Sequence, residues 1–280
     1  MEPLVSTDWL AGELGASDLR VLDATAFLPG SGRDARAEYE AGHIPGAGFF
    51  DHESVSDPDN PFPHAWPPAA LFASRMRALG IGDHDRIVIY DSSPIHTSAR
   101  AWYLLRSFGA RHVAILNGGL QKWVAEGRPV ESEASTPRSG HFTPHPVAGA
   151  VVDKAGVQAL LDRDSHVLAD ARAAERFRGD ADEPRPGLAS GHIPGARCLP
   201  QSAFFKADNT WKLGEELRAL FDEAGVDLSK PLVASCGSGV TACVILFAAH
   251  LLGKTDLSLY DGSWSEWGAD PATPKAKGAA

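Results

Sequence analysis

Apolar positions along this chain follow two alternating periods. Short continuous apolar runs, such as residues 86–91 (RIVIYD) and 231–235 (PLVAS), alternate with longer stretches of helical period, such as residues 97–109. Continuous apolar runs are typical of strands buried on both faces, and helices of this length between strands allow parallel crossovers. The pattern predicts an α/β fold built on parallel sheets.

The pattern occurs twice. Both halves contain the motif GHIPGA after an apolar run, and the segments that follow match in order, 86–93 with 231–238 and 112–123 with 256–267. A repeat on this scale predicts two copies of one structural unit. We therefore predict two tandem domains, each a parallel sheet flanked by helices.

Composition places the boundaries between the copies. Residues 127–149 are rich in Pro, Ser and Gly and have no apolar period, which is typical of a linker. We predict a first domain at residues 1–126, a second domain at residues 150–270, and a frayed tail at residues 271–280.

The bulk properties exclude several classes of partner. The formal net charge of −10 disfavours binding to nucleic acid or to an anionic membrane surface. The sequence has no apolar run of about 18 residues that could span a bilayer, and its first residues lack the basic and apolar regions of a secretion signal. Three cysteines, an odd number, leave a thiol free and favour a reducing compartment. We predict a cytoplasmic protein with no nucleic-acid or membrane partner.

Cys236 lies where a predicted strand gives way to a predicted helix. Gly237, Ser238 and Gly239 follow it, and residues 240–252 continue with a helical apolar pattern. Ligands of parallel α/β sheets bind beyond the carboxyl ends of the strands. A glycine-rich turn there can direct N–H groups toward an anion at a helix N-terminus, which favours the thiolate form of a cysteine. The turn predicts a nucleophile, and the alternative is a tight turn with Ser238 as N-cap and an inert, buried thiol.

The first copy provides an internal comparison. Asp91 occupies the position that matches Cys236, so only the second copy can supply a nucleophilic thiol. Cys243 lies among Ala, Val and Ile within the predicted helix, and we interpret it as a packing residue. The sequence leaves the environment of Cys198 open.

The motifs together resemble those of a known family. GHIPGA in each half, CGSGVTA at residues 236–242 and YDGSW at residues 260–264 resemble the two-domain rhodanese-like sulfurtransferases, and the cysteine loop resembles that of the 3-mercaptopyruvate sulfurtransferases among them. The resemblance extends from about Ser6 to Trp267. It implies that Cys236 attacks the sulfur of 3-mercaptopyruvate, releases pyruvate and holds the sulfur as a persulfide until a thiol, thioredoxin or cyanide removes it. It implies no metal and no organic cofactor.

The same resemblance assigns binding residues. Arg176 and Arg185 would grip the keto acid, because the planar guanidinium fork matches a carboxylate. The alternative for Arg176 is a surface ion pair with the acidic residues around it. The persulfide would be held by the backbone N–H groups of Gly237, Ser238, Gly239, Val240 and Thr241.

Proton transfer has more than one candidate. The resemblance implies that Ser238 works with His43 and Asp34, since a neutral imidazole between a carboxylate and a hydroxyl can relay a proton near neutral pH. His192 occupies the matching position of the second copy, which favours a structural role that both histidines share. His64 is a further candidate, placed by its resemblance to a family loop near the active-site cleft.

Three competing functions differ in what they require of the cysteine loop. A thiosulfate sulfurtransferase differs in its donor, and family members that use thiosulfate carry basic residues where this sequence has Gly237 and Ser238. A cysteine phosphatase with such a loop would need an arginine at the position of Ala242. A non-catalytic binding module would have no need of Cys236. The physiological acceptor and the oligomeric state stay open.

Overall fold

The computed structural model describes residues 1–133, 138–161 and 163–279. The chain forms two compact units. Each unit contains most of one half of the sequence together with a short segment from the other half. Unit 1 comprises residues 1–57, 67–147 and 205–211, and unit 2 comprises residues 58–66, 148–204 and 212–280.

Unit 1 is built on a parallel sheet. Its elements in chain order are β1 (Leu4–Val5), α1 (Thr7–Glu13), β2 (Leu19–Asp23), α2 (Ala35–Ala41), β3 (Gly48–Phe49), α3 (His52–Val55), α4 (Ala69–Ala78), β4 (Arg86–Tyr90), α5 (Ser98–Ser107), β5 (His112–Leu116) and α6 (Gly119–Ala125). In the order β1-β5-β4-β2-β3, neighbouring strands run parallel. The central strands are buried because helices cover both faces of the sheet.

Unit 2 repeats this arrangement. Its elements are β6 (Val151–Val152), α7 (Lys154–Gln158), β7 (Val167–Asp170), α8 (Ala174–Arg178), β8 (Arg197–Cys198), a 3₁₀ turn (Gln201–Phe204), α9 (Gly214–Glu223), β9 (Leu232–Ser235), α10 (Ala242–Leu251), β10 (Leu257–Tyr260) and α11 (Ser263–Trp267). The strand order β6-β10-β9-β7-β8 is that of unit 1, and the pairs are again parallel. The predicted fold class is confirmed.

The segment between the copies is packed rather than loose where it is described. Phe142 is buried in unit 1 with its ring 5.9 Å from that of Phe72. The amide of Val147 donates to the Ser107 carbonyl at 2.8 Å. These contacts attach residues 138–147 to unit 1, whereas residues 134–137 of the predicted linker lie outside the described residues.

The C-terminal residues are also packed, where the composition predicted a frayed tail. Thr273 is buried, and its hydroxyl donates to the Trp267 carbonyl at 2.6 Å. Ala276 forms an antiparallel bridge with His192. Backbone pairing and buried polar contacts hold this segment, and neither is visible in the composition. Within the part of the chain that is described, no helix has the length and apolar character needed to cross a membrane.

Each unit has a buried carboxylate at the end of a matching strand, and the two carboxylates have different partners. Asp170 ends β7 and is paired with Arg172, whose Nη2 lies 2.7 Å from its Oδ2. Asp23 ends β2, and Thr25 stands where unit 2 has the arginine, donating its hydroxyl at 2.5 Å. Burial raises the pKa of Asp23 to about 6, against the opposing effect of the Thr25 hydrogen bonds and with a further increase from the charge of Asp91. Among the described residues, Asp23 therefore has hydrogen-bond donors but no ion-pair partner.

Asp23→Asn is expected to stabilise the protein at neutral and alkaline pH. The pKa of Asp23 in the folded protein lies above its ordinary value of 3.8, so folding favours the protonated carboxyl. The stability that this protonated form contributes is fully present below pH 3.8 and is lost as the pH rises through about 6. Relative to wild type, the variant should gain up to roughly 3 kcal/mol in free energy of unfolding at pH 8, and the gain should vanish near pH 4. Urea unfolding of the full chain at both pH values measures this difference.

Asp170→Asn is the matched control in unit 2. It removes the partner of a buried guanidinium and should destabilise the protein at both pH values. If Asp23→Asn gave the same change in stability at pH 4 and pH 8, the proposed cost of ionising Asp23 would be wrong.

Candidate active site

Cys236 follows β9 directly and lies at the carboxyl edge of the unit 2 sheet. The residue is 1% exposed. After it the chain turns through Gly239, whose φ of +75° favours glycine, and enters α10 at Ala242. The helix thus begins two residues later than the apolar pattern predicted, which leaves Val240 and Thr241 in the turn.

The turn presents unused hydrogen-bond donors. Among the described residues, the N–H groups of Gly237, Ser238, Val240 and Thr241 have no protein acceptor. They lie at the N-terminus of a ten-residue helix, where the aligned peptide dipoles favour negative charge. The turn can therefore bind an anion.

The equivalent turn of unit 1 already binds an anion from its own side chain. Asp91 takes the place of Cys236, and its Oδ1 accepts from the amide of Ser93 at 2.9 Å. Its Oδ2 accepts from the amide of Ser98, the first residue of α5, at 2.8 Å. Burial raises the pKa of Asp91, whereas these hydrogen bonds favour its anionic form. The matching strand-to-helix turns thus have an internal anion in one copy and a cysteine in the other.

Ser263 organises the base of the cysteine turn. Its hydroxyl accepts from the amides of Cys236 and Gly239, each at 3.1 Å, and donates to the Tyr260 carbonyl at 2.7 Å. Its φ is +49°, and the matching residue of unit 1 is Gly119 with a φ of +59°. A side chain in this region is strained, so the hydroxyl contacts offset a backbone cost that glycine avoids. Sequence reasoning missed this residue, although the repeat does place a serine against a glycine here.

Arg176 reaches the backbone of the cysteine turn. A Cβ atom added to Gly237 would lie 3.5 Å from Arg176 Nη2, so glycine leaves room for the guanidinium beside the turn. The same Nη2 lies 2.5 Å from Glu183 Oε2, and the Arg176 side chain is 27% exposed. The guanidinium is therefore held at the turn while part of it stays accessible.

The ion pair of Arg176 belongs to a buried network rather than to the surface. The Glu183 side chain is 2% exposed and also accepts from Arg172 Nη1 at 2.7 Å. Arg172 in turn binds Asp170 and lies 4.4 Å from the centre of the Trp264 ring. A guanidinium fixed in this way loses less side-chain entropy when it binds a ligand. Sequence reasoning missed both Arg172 and Glu183, which act through Arg176.

Arg185 approaches the same turn through a serine. Its Nη1 donates to Ser265 Oγ at 3.0 Å, and that hydroxyl donates to the Gly237 carbonyl at 2.6 Å. The structure thus brings Arg176 and Arg185 to one residue of the cysteine turn. Arg178, by contrast, pairs with Asp180 at the surface.

His43 and Asp34 lie in unit 1, and each has a packing or capping contact there. His43 is fully buried, stacks on Tyr39 at 4.1 Å and bonds the Tyr39 carbonyl through Nδ1 at 2.7 Å. His192 repeats this arrangement with Phe177 in unit 2, at 3.8 Å and 2.8 Å. Asp34 caps α2 by accepting from the Ala37 amide. The relay through these residues stays a prediction, while the shared contacts favour a structural role for both histidines.

His64 belongs to unit 2 although it lies in the N-terminal half of the sequence. It is half-buried and adopts a φ of +59°. Two residues later, the amide of Trp66 donates to Asp261 Oδ2 at 2.6 Å, and Asp261 lies two residues before Ser263. The segment that carries His64 is therefore tied to the loop that supports Cys236.

The two other cysteines have different environments. Cys243 is buried within α10, and its Sγ lies 3.4 Å from the Gly239 carbonyl. Cys198 is half-buried, and burial raises the pKa of its thiol. All three cysteines are free thiols. Across the described residues, no group of His, Cys, Asp or Glu is arranged to hold a metal ion.

Known proteins share this sequence and fold. A model of the rhodanese-like domain matches residues 6–126 and 153–270. The chain is 43% identical over 270 residues to the 3-mercaptopyruvate sulfurtransferase of Homo sapiens, which covers 94% of this chain and 91% of that protein. It is also 43% identical over 285 residues to the thiosulfate sulfurtransferase of Cricetulus griseus, covering 98% of this chain and 95% of that protein. A crystal structure of a 3-mercaptopyruvate sulfotransferase from Escherichia coli has a TM-score of 0.86 and 38% identity, and covers 95% of this chain and 100% of that chain.

The chain belongs to the rhodanese-like family, with two tandem copies of the domain. The predicted membership among the two-domain sulfurtransferases is confirmed by relatives that match over nearly the whole length. The predicted class of enzyme, a transferase of sulfur, is confirmed by the same relatives.

Ser263→Ala is expected to destabilise the protein more than Ser263→Gly. Both variants remove the acceptor of the Cys236 and Gly239 amides, but alanine keeps the unfavourable positive φ that glycine adopts freely. The alanine variant should be less stable by about 1 kcal/mol in urea unfolding. If the two variants were equally stable, or if alanine were the more stable, backbone strain at this position would not matter.

Proposed function

We propose that the chain transfers sulfur from 3-mercaptopyruvate through a persulfide on Cys236 to a thiol, to a thioredoxin-like protein or to cyanide. One observation carries this proposal. The turn at Cys236 has amides without a protein acceptor, and the same turn in unit 1 binds the Asp91 carboxylate. A thiolate or persulfide at Cys236 would supply the anion that the second copy lacks.

The proposed first step conserves the charge of the cysteine. The Cys236 thiolate attacks the thiol sulfur of 3-mercaptopyruvate, a sulfur–sulfur bond forms, and the carbon–sulfur bond breaks. The electron pair passes to the substrate carbon as the enolate of pyruvate, which takes up the proton of the former thiol. The products are pyruvate and an anionic persulfide, which the amides of Gly237, Ser238, Val240 and Thr241 would stabilise. The amide of Gly239, predicted for the same role, donates to Ser263 Oγ instead.

Arg176 and Arg185 would bind the donor. The Arg176 guanidinium lies beside Gly237, and the Arg185 guanidinium is linked to Gly237 through Ser265. Both would offer positive charge to the carboxylate and keto oxygen of the substrate. The keto oxygen becomes more negative as the enolate forms, so an arginine there favours the transition state over the bound donor. In a chain with a net charge of −10, this local charge is what attracts an anionic donor.

The second step returns the enzyme to its starting state. An acceptor thiolate or cyanide attacks the outer sulfur of the persulfide, and the Cys236 thiolate is the leaving group. Neither step needs a metal or an organic cofactor. For proton transfer at the donor we retain Ser238 with His43 and Asp34 as the predicted relay. His64 is the alternative supported by its place in unit 2.

Thiosulfate is the competing donor. The relative from Cricetulus griseus is named for it. The turn after Cys236 begins with uncharged Gly237 and Ser238, which favours the keto acid over a dianion that needs further positive charge there. We place the enzyme in the cytoplasm, because a nucleophilic thiol that accompanies two other free thiols suits a reducing compartment.

One equivalent of 3-mercaptopyruvate is expected to add one sulfur atom to Cys236, with one pyruvate released. Mass spectrometry of the intact protein and of its peptides locates the sulfur, and the same assay with thiosulfate should give a smaller yield. Cys236→Ser should abolish the adduct although Cys198 and Cys243 remain. Sulfur on either of those two thiols, or a clear preference for thiosulfate, would contradict the proposal.

Arg185→Ala is expected to lower kcat/KM for 3-mercaptopyruvate by about tenfold or more, because a charge-assisted contact to the carboxylate is lost. Alkylation of Cys236 by neutral iodoacetamide should change far less, since that reagent has no carboxylate. Arg178→Ala, which removes a surface arginine paired with Asp180, is the control and should leave both rates unchanged. Equal losses of transfer and alkylation in Arg185→Ala would indicate a purely structural arginine.

A further inference from the structure

Unit 2 contains a cavity at the edge of its sheet opposite to Cys236. The cavity has a volume of about 340 Å³ and lies at the amino ends of β7 and β9, beside the residues that follow α7. Val157 and Val233 form its buried floor, and Leu160, Val167 and Leu168 add to its apolar wall. This volume falls within the range of small-molecule sites in proteins.

The corresponding place in unit 1 is filled by ion pairs. Arg86 binds Glu13 and Asp18, each at 2.7 Å, and Arg20 binds Asp85 at 3.1 Å. Arg20 also donates to the carbonyl of Gly80 at 3.0 Å. At this edge of the unit 1 sheet, the acidic and basic side chains are thus paired with one another.

The strand register shows that unit 2 has replaced the members of this network. Arg20 pairs with Ile87 in unit 1 as Val167 pairs with Leu232 in unit 2. The N-cap residues Ser6 of α1 and Asp153 of α7 align these two helices in the same way. With this alignment, four positions that are charged in unit 1 are apolar or carry the opposite charge in unit 2. The replacements are Glu13 by Leu160, Arg20 by Val167, Asp85 by Lys230 and Arg86 by Pro231.

Among the described residues that line the cavity, three basic side chains face two acidic ones, which leaves an excess of positive charge at the rim. Within the described residues, Arg163 and Arg197 have no acidic partner, and both line the cavity. Lys230 is paired with Asp164, and Asp227 accepts from the amide and hydroxyl of Ser229. Two guanidinium groups therefore lie at the rim of a cavity whose floor is apolar, in an acidic protein.

We propose that this cavity binds a small carboxylate with an apolar body. The apolar part would cover Leu160, Val167 and Leu168, and the carboxylate would meet Arg163 and Arg197 at the rim. Burial of apolar area supplies affinity in proportion to the area removed from water, and the guanidinium forks select the anion. The site lies at the amino edge of the sheet and is distinct from the cysteine turn at the carboxyl edge.

Binding of 1-naphthoate to the full chain, measured by isothermal titration calorimetry, tests the proposal. Saturable binding of one equivalent is expected, and neutral 1-naphthamide and acetate should each bind about tenfold or more weakly. Arg163→Gln and Arg197→Gln should each weaken naphthoate binding about fivefold or more. Leu160→Glu, which restores the acid of unit 1, should abolish binding.

Two arginine variants outside the cavity separate it from other sites. Arg218→Gln removes an exposed arginine of α9 and should leave binding unchanged. Arg176→Gln removes an arginine proposed to bind the keto acid at the cysteine turn and should also leave binding unchanged. Loss of binding in Arg176→Gln with retention in Arg197→Gln would place naphthoate at the cysteine turn and overturn the proposal. Equal affinity for naphthoate and naphthamide would overturn it as well.

Discussion

Backbone N–H groups at the turn between a parallel strand and the helix that follows it need an acceptor, and this need shapes the rest of the protein. In unit 1 the acceptor is built into the sequence as Asp91, whose two carboxylate oxygens bind the amides of Ser93 and Ser98. In unit 2 the residue at the same place is Cys236, and the amides of Gly237, Ser238, Val240 and Thr241 have no protein partner among the described residues. A sulfur anion at Cys236 would complete this turn as the Asp91 carboxylate completes the other, and this unmet backbone requirement supports the proposed catalysis.

The duplication allowed each copy to specialise through small exchanges at matching positions. Gly119 adopts a positive φ without strain. Ser263 adopts a positive φ at the matching position with backbone strain, and its hydroxyl accepts a hydrogen bond from the Cys236 amide. Thr25 leaves Asp23 without a cation, whereas Arg172 neutralises Asp170 and, through Glu183, also positions Arg176. The buried charges of Asp170, Arg172 and Glu183 in unit 2 are thus paired with one another.

Electrostatics explains how an acidic protein can handle anionic molecules. The net charge of −10 repels anions at long range, but screening in salt limits that repulsion to about 10 Å. Within that distance the local arrangement decides, and guanidinium groups lie where the surrounding acids are already paired. This holds beside Gly237, which Arg176 approaches directly and Arg185 through Ser265, and at the opposite edge of the sheet, where Arg163 and Arg197 line a cavity with an apolar floor.

The sequence by itself determined the parallel α/β class, the duplication and the asymmetry between Asp91 and Cys236, because apolar period and repeated motifs depend on local order along the chain. Arg176 and Arg185 came from the family resemblance rather than from any period, and their role in binding the donor stays a proposal. It did not reveal Ser263, Glu183 or Arg172, since their roles come from contacts across the unit rather than from any period or spacing. Nor did it show that His64 lies in unit 2, or that residues 138–147 and the C-terminal segment are packed. Tertiary structure decided these points, because the burial of a charge and the strain of a backbone angle are set by neighbours that are distant in sequence.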